Sequence, residues 1–91
     1  MKLTFGSGKV VRHPVDADVL RALADGGDVV VLEAGPAQYV QTNFAVIEYC
    51  DRDHHYECAE DTTPQLIEKI FLTFLAGRDL EPLFPWREIE F

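Results

Sequence analysis

The residues able to do chemistry crowd into 44–58, FAVIEYCDRDHHYEC, which holds both cysteines and two of the three histidines. A zinc site draws on close pairs spaced C-x2–4-C, whereas Cys50 and Cys58 are separated by seven residues. A nucleophile at Cys50 with His55 as base would need an orienting third group and a pocket, and the sequence supplies neither. Recognition is the third use. Glu48, Asp51, Asp53, Glu57, Glu60 and Asp61 make an acidic edge beside Tyr49 or Tyr56. Charge of one sign steers an encounter and aromatic rings anchor it. Outside this stretch, Gly8-Lys9 offers a fragment of a phosphate loop, but Leu3 stands where that motif needs glycine and Val10 where it needs Ser or Thr. No motif commits the chain to a reaction, and no catalytic, cofactor-binding or metal-ligating residue is assigned.

The geometry of a hairpin sorts these residues further. Side chains alternate faces along a strand, and facing residues of an antiparallel pair keep a constant index sum. An odd sum, as an Asp51-Arg52 turn would give, places Ala45, Ile47 and Tyr49 with His54, Tyr56 and Cys58. Val46, Glu48, Cys50, Asp53, His55 and Glu57 then share the other face. An even sum mixes charge into both faces, so burial favours the odd one. Cys50 and Cys58 then point apart, which disfavours a disulfide, and Cys58 becomes a core residue. Cys50 and His55 remain together on the exposed face.

The flanking elements must hold this hairpin. Residues 2–12 read as a short strand, a glycine turn and a second short strand. Pro14 biases His13 toward extended backbone. Asp16 is a plausible N-cap for a helix to Asp25, with Val19, Leu20 and Leu23 on one face and Gly26-Gly27 stopping it. Residues 28–34, DVVVLEA, form a nearly unbroken apolar run and read as a strand buried on both faces. Gly35-Pro36 marks a turn, 38–42 the return strand, Thr42-Asn43 a second turn, 44–50 a third strand and 54–60 a fourth. Thr62 or Thr63 caps a helix over 65–76, with Pro64 at its start and Gly77 at its end. Leu66, Ile67, Ile70, Phe71, Phe74 and Leu75 make its apolar stripe. After Pro82 and Pro85, residues 86–91, WREIEF, alternate as a last edge strand. Trp86 is either a lid on the core or an interface anchor.

Composition bounds the class. The 91 residues suit one domain, 1–91, without linker or repeat. At 47% apolar and 26% charged the chain is globular rather than disordered. The net charge of −8 disfavours nucleic acid and anionic membrane as partners and suits a basic protein. No apolar stretch is long enough to cross a membrane, and two cysteines do not make a secreted disulfide scaffold. A soluble cytoplasmic protein is the expectation.

The order VVVLEAGPAQYVQT, FAVIEYCDRDHHYEC, TPQLIEKIFLTFLAGRD and PWREIEF resembles a loosely defined group of small, mostly uncharacterised bacterial proteins. Leu32, Glu33, Tyr39, Gln41, Glu48, Tyr49, His55, Tyr56, Phe74, Gly77, Asp79 and Trp86 carry the likeness, which covers about residues 19–91. Part of that group is similar to Imm1-type immunity proteins of bacterial toxin systems. The resemblance implies an α+β fold and toxin neutralisation, and brings no catalytic residues.

The expectation is thus an antiparallel meander of about four to five strands, with one long helix packed on one face and a shorter N-terminal helix. Its function would be that of a non-enzymatic interaction domain, an immunity-type inhibitor being one form. Glu48, Asp51, Asp53, His55, Glu57 and Trp86 form its candidate surface. A metal- or thiol-dependent enzyme using Cys50 and His55 is the alternative from another class, and a self-associating structural domain or homodimer is a third. No cofactor is expected.

Overall fold

The computed structural model describes residues 1–58, 62–80 and 86–89. Among the described residues, seven strands form one antiparallel sheet in the order β2-β1-β3-β4-β5-β6-β7. They are β1 (Lys2–Thr4), β2 (Val10–Arg12), β3 (Val30–Gly35), β4 (Gln38–Thr42), β5 (Ile47–Asp51), β6 (His54–Cys58) and β7 (Trp86–Ile89). Two helices, α1 (Asp16–Asp25) and α2 (Pro64–Leu75), complete the α+β fold. The sheet exceeds the expected four to five strands because the N-terminal hairpin joins it: β1 pairs with β3, Leu3 opposite Leu32. Glu60, Asp61, Pro82, Pro85, Glu90 and Phe91 lie outside the described residues, and with them the outer ends of the expected fourth and last strands.

Both helices feed one core. Ile67, Ile70, Phe71 and Phe74 of α2 meet Val19 and Ala22 of α1 and the sheet residues Leu3, Leu32, Val40, Ile47 and Tyr49. Each fully buried large side chain contributes about 1.5–3 kcal/mol, an upper bound because unfolded chains already bury some surface. The Thr63 hydroxyl accepts from Leu66 N at 3.1 Å, Pro64 needs no N–H partner, and Gly77 takes φ 74° just past the end of α2.

Several expectations fail locally. The N-cap of α1 is Val15, not Asp16. Asp18 instead reaches back, its carboxylate accepting from Val15 N at 2.9 Å. Leu20 is exposed while Ala22 is buried, so the docking face is centred on Val19, Ala22 and the half-buried Leu23. The small alanine lets α1 approach its neighbours more closely than a leucine would. His13 is left-handed at φ 55° rather than extended; its N–H donates to Met1 O at 3.0 Å and closes the first hairpin. β3 is buried on one face only. Val30 and Leu32 are inaccessible, but Val29 is exposed and Val31 half-buried, because both helices lie on the same side.

The third strand starts at Ile47 rather than Phe44. Residues 43–46 are a loop folded on polar side chains. Asn43 Oδ1 accepts from Ala45 N at 3.0 Å and Val46 N at 2.9 Å. Thr42, the buried polar residue among those described, accepts from Phe44 N at 2.9 Å and donates to Val46 O at 2.8 Å. Thr62 donates to Ala45 O at 3.1 Å and ties the loop to the start of α2.

Candidate functional site

The β5–β6 register pairs Glu48 with Glu57, Tyr49 with Tyr56, Cys50 with His55 and Asp51 with His54. The index sum is odd, as burial requires, but the turn is Arg52-Asp53 rather than Asp51-Arg52. Arg52 takes φ 60°, which hairpin turns matching the strand twist need at their first central residue. Its N–H donates to Ala37 O at 2.7 Å, fastening this turn to the β3–β4 turn.

Alternation then defines two faces. Tyr49, Tyr56, Cys58 and Trp86 lie on the helix-covered side. Tyr49 stacks on Tyr56 at 5.7 Å between centroids and sits 5.6 Å from Trp86. The Trp86 indole donates to Leu80 O at 2.9 Å, so Trp86 is part of the core edge. Asp51 shares this parity. It lies with Tyr49, Phe74 and Asp79 around a cleft at the end of α2, and its Oδ1 accepts from Gln38 Nε2 at 3.4 Å. Asp53 is in the turn, exposed. Of the candidate surface, Glu48, His55 and Glu57 therefore come together on the opposite face, while Asp51, Asp53 and Trp86 do not join them. The ring beside Glu48 is Tyr39, while Tyr49 keeps Asp51 and Asp79 on the helix side.

That opposite face is crossed by two rows of facing residues. One runs Lys2, Glu33, Tyr39, Cys50, His55, Ile89; the other Thr4, Val31, Gln41, Glu48, Glu57, Arg87. Among the described residues no helix covers it. Lys2 pairs with Glu33 at 3.5 Å, and Arg87 with Glu57. Glu48 has a neutral partner, Gln41 Nε2, which donates to Oε2 at 2.9 Å.

Cys50 and His55 face each other, with Sγ 3.9 Å from Nε2. Cys50 is nevertheless buried rather than exposed, at 3%. Its thiol lies 3.5 Å from the carbonyls of Ala37 and Arg52. Burial pushes the thiol pKa up, and Asp51 and Asp53 push it further, against a hydrogen bond from Tyr39 that lowers it. Tyr39 is raised in turn, first by burial and then by Cys50. An attacking thiolate needs the opposite shift. Both cysteines are free and lie on opposite faces of the sheet. Among the described residues, no group of three or more His, Cys, Asp or Glu is placed to hold a metal ion, and no helix is long and apolar enough to cross a membrane.

Reading the hairpin alone misses Tyr39, Gln41 and Val29, while parity places Val46 on this face. The alternation of 38–42 carries the signal for Tyr39 and Gln41, since both share a parity. No protein-family model, curated protein or solved structure matches the chain.

Proposed function

We propose that this chain is a non-enzymatic protein-interaction domain that binds a basic protein surface through the helix-free face of its sheet. One observation carries this reading: Glu48 stands directly opposite Glu57 on that face. Like charges at facing positions destabilise a sheet by roughly 0.2–1 kcal/mol; Arg87 offsets the charge of Glu57, and an incoming cation would offset that of Glu48. The net charge of −8 would steer such a partner. Cytoplasmic immunity-type inhibition of a bacterial toxin is the specific form that the sequence resemblance supports.

The test is affinity capture from native lysate with the wild-type chain, the Glu48→Lys/Glu57→Lys double variant and Glu68→Lys on the exposed side of α2. A basic protein retained by the first and third but lost by the second is the expected outcome. Equal recovery by all three, or no basic partner with any, would overturn the reading. Sedimentation of the purified chain separates self-association through the exposed edges of β2 and β7. The 3.9 Å approach of Cys50 to His55 is what favours a metal- or thiol-dependent enzyme instead. Stoichiometric zinc, or a thiol unusually fast at neutral pH, would establish it.

A further inference from the structure

The helix-free face holds a small hollow of about 70 Å³ at the end of β4 and β5 joined by the 43–46 loop, lined by Val29, Gln41, Thr42, Asn43, Val46 and Glu48. We infer that this hollow is the seat of a lysine side chain of the basic partner, its aliphatic stem between Val29 and Val46 and its ammonium on Glu48. The inference rests on the proposed use of this face and adds the chemistry of the group received.

The size excludes large occupants. A water's share of liquid volume is about 30 Å³, so the hollow holds about two waters, room for part of an unbranched stem and not for a folded segment. Its walls are mixed, with two apolar and open side chains among them: Val29 is 40% and Val46 37% exposed. Two exposed branched side chains flanking a carboxylate suit a side chain that is greasy along its length and charged at its tip.

The side-chain oxygens of Asn43 and Thr42 are already engaged. Asn43 Oδ1 accepts the two loop N–H groups of Ala45 and Val46. The Thr42 hydroxyl bridges Phe44 N and Val46 O. Glu48 is exposed, and Gln41 occupies its Oε2. Among the carboxylates of the two facing rows, Glu33 has Lys2 and Glu57 has Arg87; Glu48 alone has no cation among the described residues. One open oxygen suits a point-like ammonium. A guanidinium fork wants both oxygens of a carboxylate and would have to share Oε2 with the Gln41 amide.

The experiment is an amide-shift NMR titration of the full chain with three blocked amino acids: Nα-acetyl methylamides of lysine, arginine and norleucine. Lysine should give saturable shifts at Val29, Gln41, Asn43, Val46 and Glu48, with affinity roughly tenfold above norleucine, as one charge-assisted hydrogen bond implies, and above arginine. Glu48→Gln should reduce lysine to the norleucine level while the rest of its spectrum stays native. Equal shifts with lysine and norleucine, tighter binding of arginine, saturation centred on Asp51 and Asp53, or no saturable shift would each overturn the lysine assignment. The capture experiment is read separately. A partner lost on Glu48→Lys/Glu57→Lys with no lysine-specific titration leaves the face as the binding surface and removes only the pocket. A partner indifferent to that double variant removes the reading of the face itself.

Discussion

Thr42→Val is the most informative single change. The substitution is close to isosteric and keeps a branched side chain at a site 1% exposed, so the packing in the core is preserved. What is lost is the hydroxyl that accepts from Phe44 N at 2.9 Å and donates to Val46 O at 2.8 Å. Phe44 holds φ 71° in that loop, a conformation bulky residues seldom adopt without support. A net hydrogen bond is worth about 0.5–1.5 kcal/mol. Two lost in a partly buried setting place the cost at about 1–3 kcal/mol. For a domain of this size that lowers Tm by about 4–8 °C per kcal/mol. Thr42→Ser is the companion: it keeps the hydroxyl and removes one methyl, costing about 1 kcal/mol. Urea unfolding of the three proteins, with the slope checked for constancy, measures both values. The reasoning fails if Thr42→Val lies within about 0.5 kcal/mol of wild type, or if Thr42→Ser is the more damaging change. The same loop carries Asn43 and Val46 into the proposed lysine hollow, so Thr42→Val should also weaken the lysine titration.

Three further outcomes are expected. Gly6→Ala should destabilise by about 1–3 kcal/mol, as overpacking does, because a methyl there would run into Gly26 O and meet Asp28 N at 2.8 Å; thermal unfolding checks it. His54 bonds Glu88 at 2.8 Å across β6 and β7, and that hydrogen bond raises its pKa above the ordinary 6.5. A raised folded pKa means the stabilisation is full below pH 6.5 and is lost as pH rises through the folded value. His54→Asn should therefore flatten a decline in stability above that pH, and an unchanged pH profile would contradict the pairing. Cys50 should react with a disulfide reagent more slowly in the native protein than in denaturant at neutral pH, since burial both shields the thiol and raises its pKa; faster native reaction would reverse this.

The sequence by itself determined the α+β class, the position of α2 and the parity of the central hairpin. Each follows from a local, periodic signal: the stripe from Leu66 to Leu75, the Thr63-Pro64 start, and alternation around Ile47, Tyr49, Tyr56 and Cys58. Only the tertiary structure decided which turn joins β5 to β6, because Asp51-Arg52-Asp53 contains no glycine to mark the positive φ. It also decided that 43–46 is a loop, since the side chains that fold it, Thr42 and Asn43, compete with a ladder no local pattern could exclude. Which face stays open was likewise a matter of packing. The valine run of β3 reads as doubly buried until both helices are seen on one side, leaving Val29 exposed. The chemistry-bearing stretch was divided by the same fact. Asp51 and Trp86 went to the helix side, Cys50 was buried opposite Tyr39, and Glu48 gained Gln41 from β4 and Val29 from the residue before β3.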